Sequence, residues 1–202
     1  MAAAAVTEPR TPPVTGVRVT LLGAFTIRLG ARCVGPWYRP SAKRLCELLM
    51  LSPGLTLGRE VAREALFANL SPAASASALS TALSLSRDAL SALGQEGPSL
   101  LRSDRARIWV AEETPLEIDL VLHEAALRSA LSMTPGSERD LALSSALLQR
   151  SALLEDEPYA EWTLGPREAL ELLRQRARLE LARDRLRGRG LSHPGAVTEA
   201  WA

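Results

Sequence analysis

The sequence predicts an α+β winged helix-turn-helix over residues 17–115, followed by an all-α array of helical hairpins over residues 116–202. Three observations predict it. Short alternating strands come first. Three helical segments follow, the third opened by Ser71-Pro72, and a Ser99-Leu100-Leu101 and Ile108-Trp109-Val110 pair closes the unit. That order is a device for placing one helix in a DNA major groove with a hairpin beside it.

Val17, Val19 and Leu21 alternate with Arg18 and Thr20. After Gly23-Ala24, Phe25, Ile27 and Leu29 alternate with Thr26 and Arg28. A period of two broken by a glycine turn predicts an antiparallel pair with one buried face. A third short strand over Ala31–Val34 ends at Gly35-Pro36. Ser41 is positioned to cap a first helix, where Ala42, Leu45, Leu48 and Leu49 recur at helical spacing until Pro53-Gly54.

Leu55–Leu57 reads as an extended link, and a second helix as Arg59–Phe67 with Val61, Ala62, Ala65 and Leu66 on one face. Asn69–Ser71 makes the turn. Ser71 as cap and Pro72 at the first helical position open a third helix that Gly94 and Gly97-Pro98 stop. On it Leu79, Leu83, Ser86 and Leu90 share an inner face, and Ser77, Ser80, Thr81, Ser84, Arg87 and Asp88 an outer one. The closing pair turns near Asp104-Arg105 and forms the wing. Helical patterns then cover Leu120–Ser132, Arg139–Leu154 and Arg167–Arg187; short links between them predict antiparallel hairpins.

Composition narrows the function. Apolar residues make up 47% and charged residues 23%, a globular balance. Residues 1–115 hold 13 Lys/Arg against 9 Asp/Glu, and residues 116–202 hold 11 against 14. A mildly basic half joined to a mildly acidic one suits a DNA-binding head with a protein-facing tail. Cys33 and Cys46 have neither metal spacing nor a disulfide framework, and read as buried thiols of a reducing cytoplasm. Residues 1–16, rich in Ala and Pro, read as a flexible leader rather than a signal peptide, and no run is long enough to span a membrane.

Candidate phosphate contacts are Lys43 and Arg44 on the first helix, Arg59 at the start of the second, and Arg102, Arg105 and Arg107 on or beside the wing. Ser80, Thr81 and Ser84 are placed to face bases, and Arg87 to make a bidentate contact to guanine. The run Glu155-Asp156-Glu157 ends at Pro158 and reads as a solvated loop. His123 and His193 have no partner triad, and there is no Gly-rich phosphate loop, metal-ligand cluster or nucleophile motif. An enzyme is not expected, and no cofactor is.

Several segments carry a resemblance. Val17-Arg18-Val19-Thr20-Leu21-Leu22-Gly23-Ala24-Phe25 resembles the opening strand of the OmpR-like winged helix in the Streptomyces antibiotic regulatory protein family. Pro53–Glu60 with Glu64-Ala65-Leu66-Phe67 is similar to its second helix, and Ala78–Ser84 with Arg87 to its recognition helix. After Asp119, Leu153–Trp162 and Pro166–Leu170 look like that family's bacterial transcriptional activation domain. The resemblance implies a tetratricopeptide-like helical domain and contact with RNA polymerase. Family recognition helices carry several arginines where this chain has Ser80, Leu85 and Asp88, so only Arg87 is carried over as a base contact. The family's helical domain continues further, which makes a C-terminally short form the expectation.

Two functions follow. The first is a cytoplasmic transcription regulator that binds double-stranded DNA, its tail serving self-association as a homodimer or RNA polymerase contact. The second is a degenerate winged helix used as a protein-interaction module, which the weakly charged third helix suggests.

Overall fold

The structure, a computed structural model, describes residues 16–95 and 97–190. The leader expected over residues 1–16 lies outside the described residues apart from Gly16, as does the closing segment at Glu199–Ala202.

The first strands form as the alternation predicts. β1 (Val17–Thr20) pairs antiparallel with β2 (Thr26–Leu29), Val19 opposite Ile27, and β2 with β3 (Arg32–Val34). Val17, Val19 and Ile27 point into the core. Cys33 departs from expectation: it lies exposed on the edge strand, whereas Cys46 is buried, its thiol pushed up to about 12 by burial.

Helix α1 (Pro40–Leu51) starts two residues earlier than the Ser41 cap predicts. Arg39 is extended at φ −126° and ψ 106°, as a residue before proline prefers, and Pro40 takes the first helical position. Its Leu45, Cys46 and Leu49 lie in one core with Val17, Val19 and Ile27 of the strands. A short β4 (Thr56–Gly58) leads into α2 (Arg59–Phe67). Of the face predicted for α2, Ala62 is buried but Val61 is exposed. Helix α3 (Pro72–Leu90) begins as predicted, Ser71 Oγ accepting from the Ala74 N–H, and Leu79, Leu83, Ser86 and Leu90 are all buried. The Ser86 hydroxyl donates to the Ala42 carbonyl, stitching α3 to α1.

β5 (Leu101–Ser103) and β6 (Arg107–Val110) make the wing hairpin, and β4 joins it through β6 as a three-stranded sheet. A strand that the sequence did not reveal follows. β7 (Leu116–Ile118) runs parallel to β1 and completes a four-stranded sheet in the order β3-β2-β1-β7. It continues directly into α4 (Asp119–Ser132), so the strand just after the expected boundary at residue 115 belongs to the head's sheet.

α5 (Ser137–Ala146) stops eight residues short of the predicted Leu154, and α6 (Leu164–Gly190) starts before the predicted Arg167. The reason for the early stop is tertiary. Leu153 forms a β-bridge with Leu22, and Leu153 and Leu154 enter the head's core instead of continuing the helix. Leu154 adopts φ +48°, a backbone state costing about 1–2 kcal/mol for a side-chain-bearing residue. Its N–H donates to Leu21 at 2.8 Å and so holds it there. Opposite it Gly23, at φ +105°, supplies the left-handed turn, donating to Ala152 and accepting from the Glu155 N–H.

Asp119 and Arg167 complete this seam. Asp119 accepts from the N–H groups of Leu21 and Leu22 at 2.7 and 3.1 Å. The Arg167 guanidinium donates to the carbonyls of Leu153, Leu154, Glu157 and Pro158 at 2.7–3.0 Å. Beyond the seam, α4, α5 and α6 pack on one another around Leu127, Leu143, Ala177 and Leu181. Buried Arg174 donates to His123 Nε2 at 3.1 Å; burial, then the Arg174 charge, holds this imidazole below its ordinary range, in the neutral form that accepts. No helix among the described residues is long and apolar enough to cross a membrane.

Candidate nucleic-acid interface

Three elements converge on one face: the N-terminus of α2, the outer side of α3 and the wing. Their junction is fixed by backbone. The Arg59 N–H donates to the Ala106 carbonyl at the wing tip, and Gly58 pairs with Arg107 across the β4–β6 ladder. An open cleft of about 430 Å³ lies between them, lined by Arg59, Glu60, Arg63, Ala76, Arg105 and Ala106.

The wing tip is built by Asp104. Its carboxylate accepts from the Ala106 and Arg107 N–H groups at 2.8 Å each, and these bonds hold it below the usual carboxylate range. Such a closed Asx turn displays the tip side chains in a defined direction. Arg107 lies 4.9 Å from the Trp109 ring centroid and 3.6 Å from Asp104, which orients its guanidinium along the wing. Arg102 and Arg105 are exposed.

On α3, Ser80, Thr81 and Ser84 are exposed on the side facing away from the core. Ser80 donates back to the Ala76 carbonyl and Thr81 to the Ser77 carbonyl, while Arg59 donates to Ser80 Oγ at 3.3 Å. The serine oxygen thus links α2 to α3. Arg63, which sequence reasoning missed, stands one turn after Arg59, pairs with Glu60 and reaches the Pro72 carbonyl. The four-residue spacing of Arg59 and Arg63 on a predicted helix was the available signal.

Three expected contacts sit elsewhere. Arg87 donates through Nε to the Leu101 carbonyl and through Nη2 to Ser103 Oγ, both at 3.0 Å. Its guanidinium braces α3 against the wing strand β5 rather than pointing toward a groove. Lys43 and Arg44 face the tail. Lys43 Nζ is 2.5 Å from Asp156 and 3.5 Å from Glu157, and Arg44 Nε is 3.0 Å from Glu157. The acidic run expected as a solvated loop therefore supplies the counter-charges of α1, with Glu157 itself buried.

Glu47 completes this cluster 3.2 Å from Lys43, an ion-pair contact in which neither carboxylate oxygen completes a hydrogen bond. Burial pushes Glu47 up to about 7, the Lys43 charge offsetting only part of it. Burial also lowers Lys43, but the Asp156 and Glu47 carboxylates outweigh that and leave it raised. A phosphate at Lys43 would have to displace carboxylates already in place.

The fold defines a class: a winged helix carrying further helices. Mycobacterium tuberculosis EmbR, solved in complex with a low-affinity phosphopeptide, is similar to it with a TM-score of 0.64 and 19% sequence identity. The likeness covers 84% of this chain and 45% of the EmbR chain, so the present chain spans less than half of that structure, and at this identity what is shared is the fold. No protein-family model matches the sequence, and no curated protein matches it.

Proposed function

We propose that this chain is a DNA-binding transcriptional regulator of the Streptomyces antibiotic regulatory type, docking through its winged helix. The observation that carries the reading is the convergence of Arg59, Arg63 and Arg105 on one open cleft between α2, α3 and the wing. In this docking α3 lies in the major groove, Ser80, Thr81 and Ser84 face base edges, and Arg59, Arg63, Arg102, Arg105 and Arg107 hold phosphates. Lys43, Arg44 and Arg87 are left out because they turn to the tail or to β5, away from this cleft. The helical tail turns its surface to protein partners, as RNA polymerase contact or self-association would require.

The hydroxyl-bearing face of α3 brings no positive charge, so affinity rests on neutralised phosphates. Each neutralised phosphate contributes about 0.9 to the slope of log affinity against log salt. The double substitution Arg59→Ala with Arg105→Ala is therefore expected to weaken binding to every sequence and to reduce that slope by about 2. A double mutant with unchanged affinity and slope, measured by fluorescence anisotropy, would refute this docking.

A second reading, a winged helix serving as a protein-interaction module, has one observation in its favour. Leu85, on α3, lines a shallow pocket of about 240 Å³ with Trp37, Tyr38, Ala89 and Ala92. That reading predicts a chain without DNA affinity above background, whose protein contacts are lost in Leu85→Arg. Sequence-selective DNA binding that survives Leu85→Arg would count against it.

A further inference from the structure

We propose that Glu47 works as a proton-operated latch on the seam between head and tail. Protonated, it leaves Lys43 to the acidic run Glu155-Asp156-Glu157; ionised, it competes with that run for the same ammonium. This goes beyond the function proposed above and rests on nothing in the DNA face.

The cluster is short of positive charge. Lys43 Nζ stands 3.2 Å from Glu47, 2.5 Å from Asp156 and 3.5 Å from Glu157. Arg44 Nε stands 3.0 Å from Glu157. Two cations thus serve three carboxylates. Glu47 is fully buried, and neither of its oxygens completes a hydrogen bond. A buried carboxylate without hydrogen-bond donors is disfavoured as an ion. Protonating it leaves two carboxylates to two cations.

Among the described residues, Glu47 forms an ion pair with no cation but Lys43. Beside it on α1, burial keeps the Cys46 thiol neutral, and Arg44 reaches the cluster through Glu157. From the tail, Asp156 and Glu157 act on it, while Arg167 donates to backbone carbonyls of the same run. On the head elements packed against α1, Arg63 pairs with Glu60, Arg59 turns to Ser80 and Arg87 to Leu101 and Ser103. Glu64 and Asp88 are exposed, and Arg107 of β6 lies beside Asp104 at the wing.

Burial, offset in part by Lys43, and then the Glu157 and Asp156 charges push Glu47 up to about 7 from an ordinary 4.5. Moving the run away removes those two charges and leaves Lys43 to Glu47 alone, which returns Glu47 toward its ordinary range. Protonation therefore favours the docked run. That contribution is full below 4.5 and is lost as pH rises through about 7. The bonds it acts on lie next to it. The Leu154 and Glu155 N–H groups donate to the Leu21 and Gly23 carbonyls at 2.8 and 3.0 Å, and these open when the run leaves.

The test is hydrogen exchange of these two amides in the full chain and in Glu47→Gln, which mimics the protonated acid. Both are measured at about pH 5.5 and about pH 8, on either side of the transition. Neither amide changes its sequence neighbours, so comparison at one pH cancels the intrinsic exchange rate. Similar protection is expected at the lower pH. At the higher one, the wild type should be about tenfold less protected than the variant. A ratio that is the same at both pH values would overturn the proposal. So would an equal loss at the amides of β2, which would assign the effect to the whole head. Carbon NMR of the Glu47 carboxyl needs no variant: a midpoint near 7 is expected, and one near the ordinary 4.5 would overturn the latch. Asp156→Asn should lower that midpoint; an unchanged midpoint would remove the tail from it. DNA is absent from every arm, so the latch and the DNA reading fail separately.

Discussion

Arg167→Ala is expected to destabilise the protein by about 3 kcal/mol, the largest single effect among the seam residues. The guanidinium reaches four backbone carbonyls, of Leu153, Leu154, Glu157 and Pro158, and no residue of the same length without its fork can do so. Two of those carbonyls belong to leucines inside the head's core, where losing a donor leaves an acceptor away from water. Leu154 also holds its positive φ under this clamp. Thermal unfolding should shift down by about 6–12 °C for a chain of this size. Arg167→Lys should recover little, because one ammonium cannot span the same set. A melting temperature unchanged in Arg167→Ala would mean that solvent already satisfies these carbonyls.

Asp119→Ala is the second. Asp119 joins the end of β1 to the start of α4 by accepting from Leu21, Leu22 and its own neighbour Leu120. Leu21 is fully buried, and its N–H has no second acceptor in the seam. The expected loss is about 2–3 kcal/mol, the cost of a charge-assisted pair of bonds plus a stranded donor. Asp119→Asn keeps one acceptor oxygen and should fall between wild type and alanine. Equal denaturant midpoints for alanine and wild type would contradict the role given to this carboxylate.

These two residues bear on how much of the molecule was legible in its sequence. Local signals were dependable where one interaction decides local structure. The Ser71 cap with Pro72, the bounds of α2 and the turn at Asp104 all act within four residues, and the structure contains each. The seam is a different matter. Lys43 and Asp156 meet across more than a hundred residues, and nothing in either neighbourhood names the other. Leu153 and Leu154 continue a helical period that belongs, in the fold, to another core. β7 is three residues long, too short for alternation to register.

The same division runs through the candidate interface. Arg59, Arg105 and the hydroxyls of α3 were readable because they sit at helix starts, on outer faces and at a turn. Arg87 was readable as an arginine of α3 but not as a brace, since its acceptor is a backbone carbonyl that has no side-chain signature. Lys43 and Arg44 occupy the position expected of phosphate contacts, and only the folded tail reveals their carboxylate partners. The head and tail thus share a core and an ion cluster, and they act as one body rather than as a reader on a tether.

Reading of duplex DNA by the face formed by α2, α3 and the wing is the function proposed for this chain. The most direct measurement is fluorescence-anisotropy binding of the full chain to a duplex from its own upstream region, across salt concentrations and against competitor DNA. Sequence-selective binding that survives competitor and falls steeply with salt is expected, with a slope set by about five neutralised phosphates, near 4–5. Weak binding, indifferent to sequence and flat in salt, would contradict it and shift the winged helix to protein recognition.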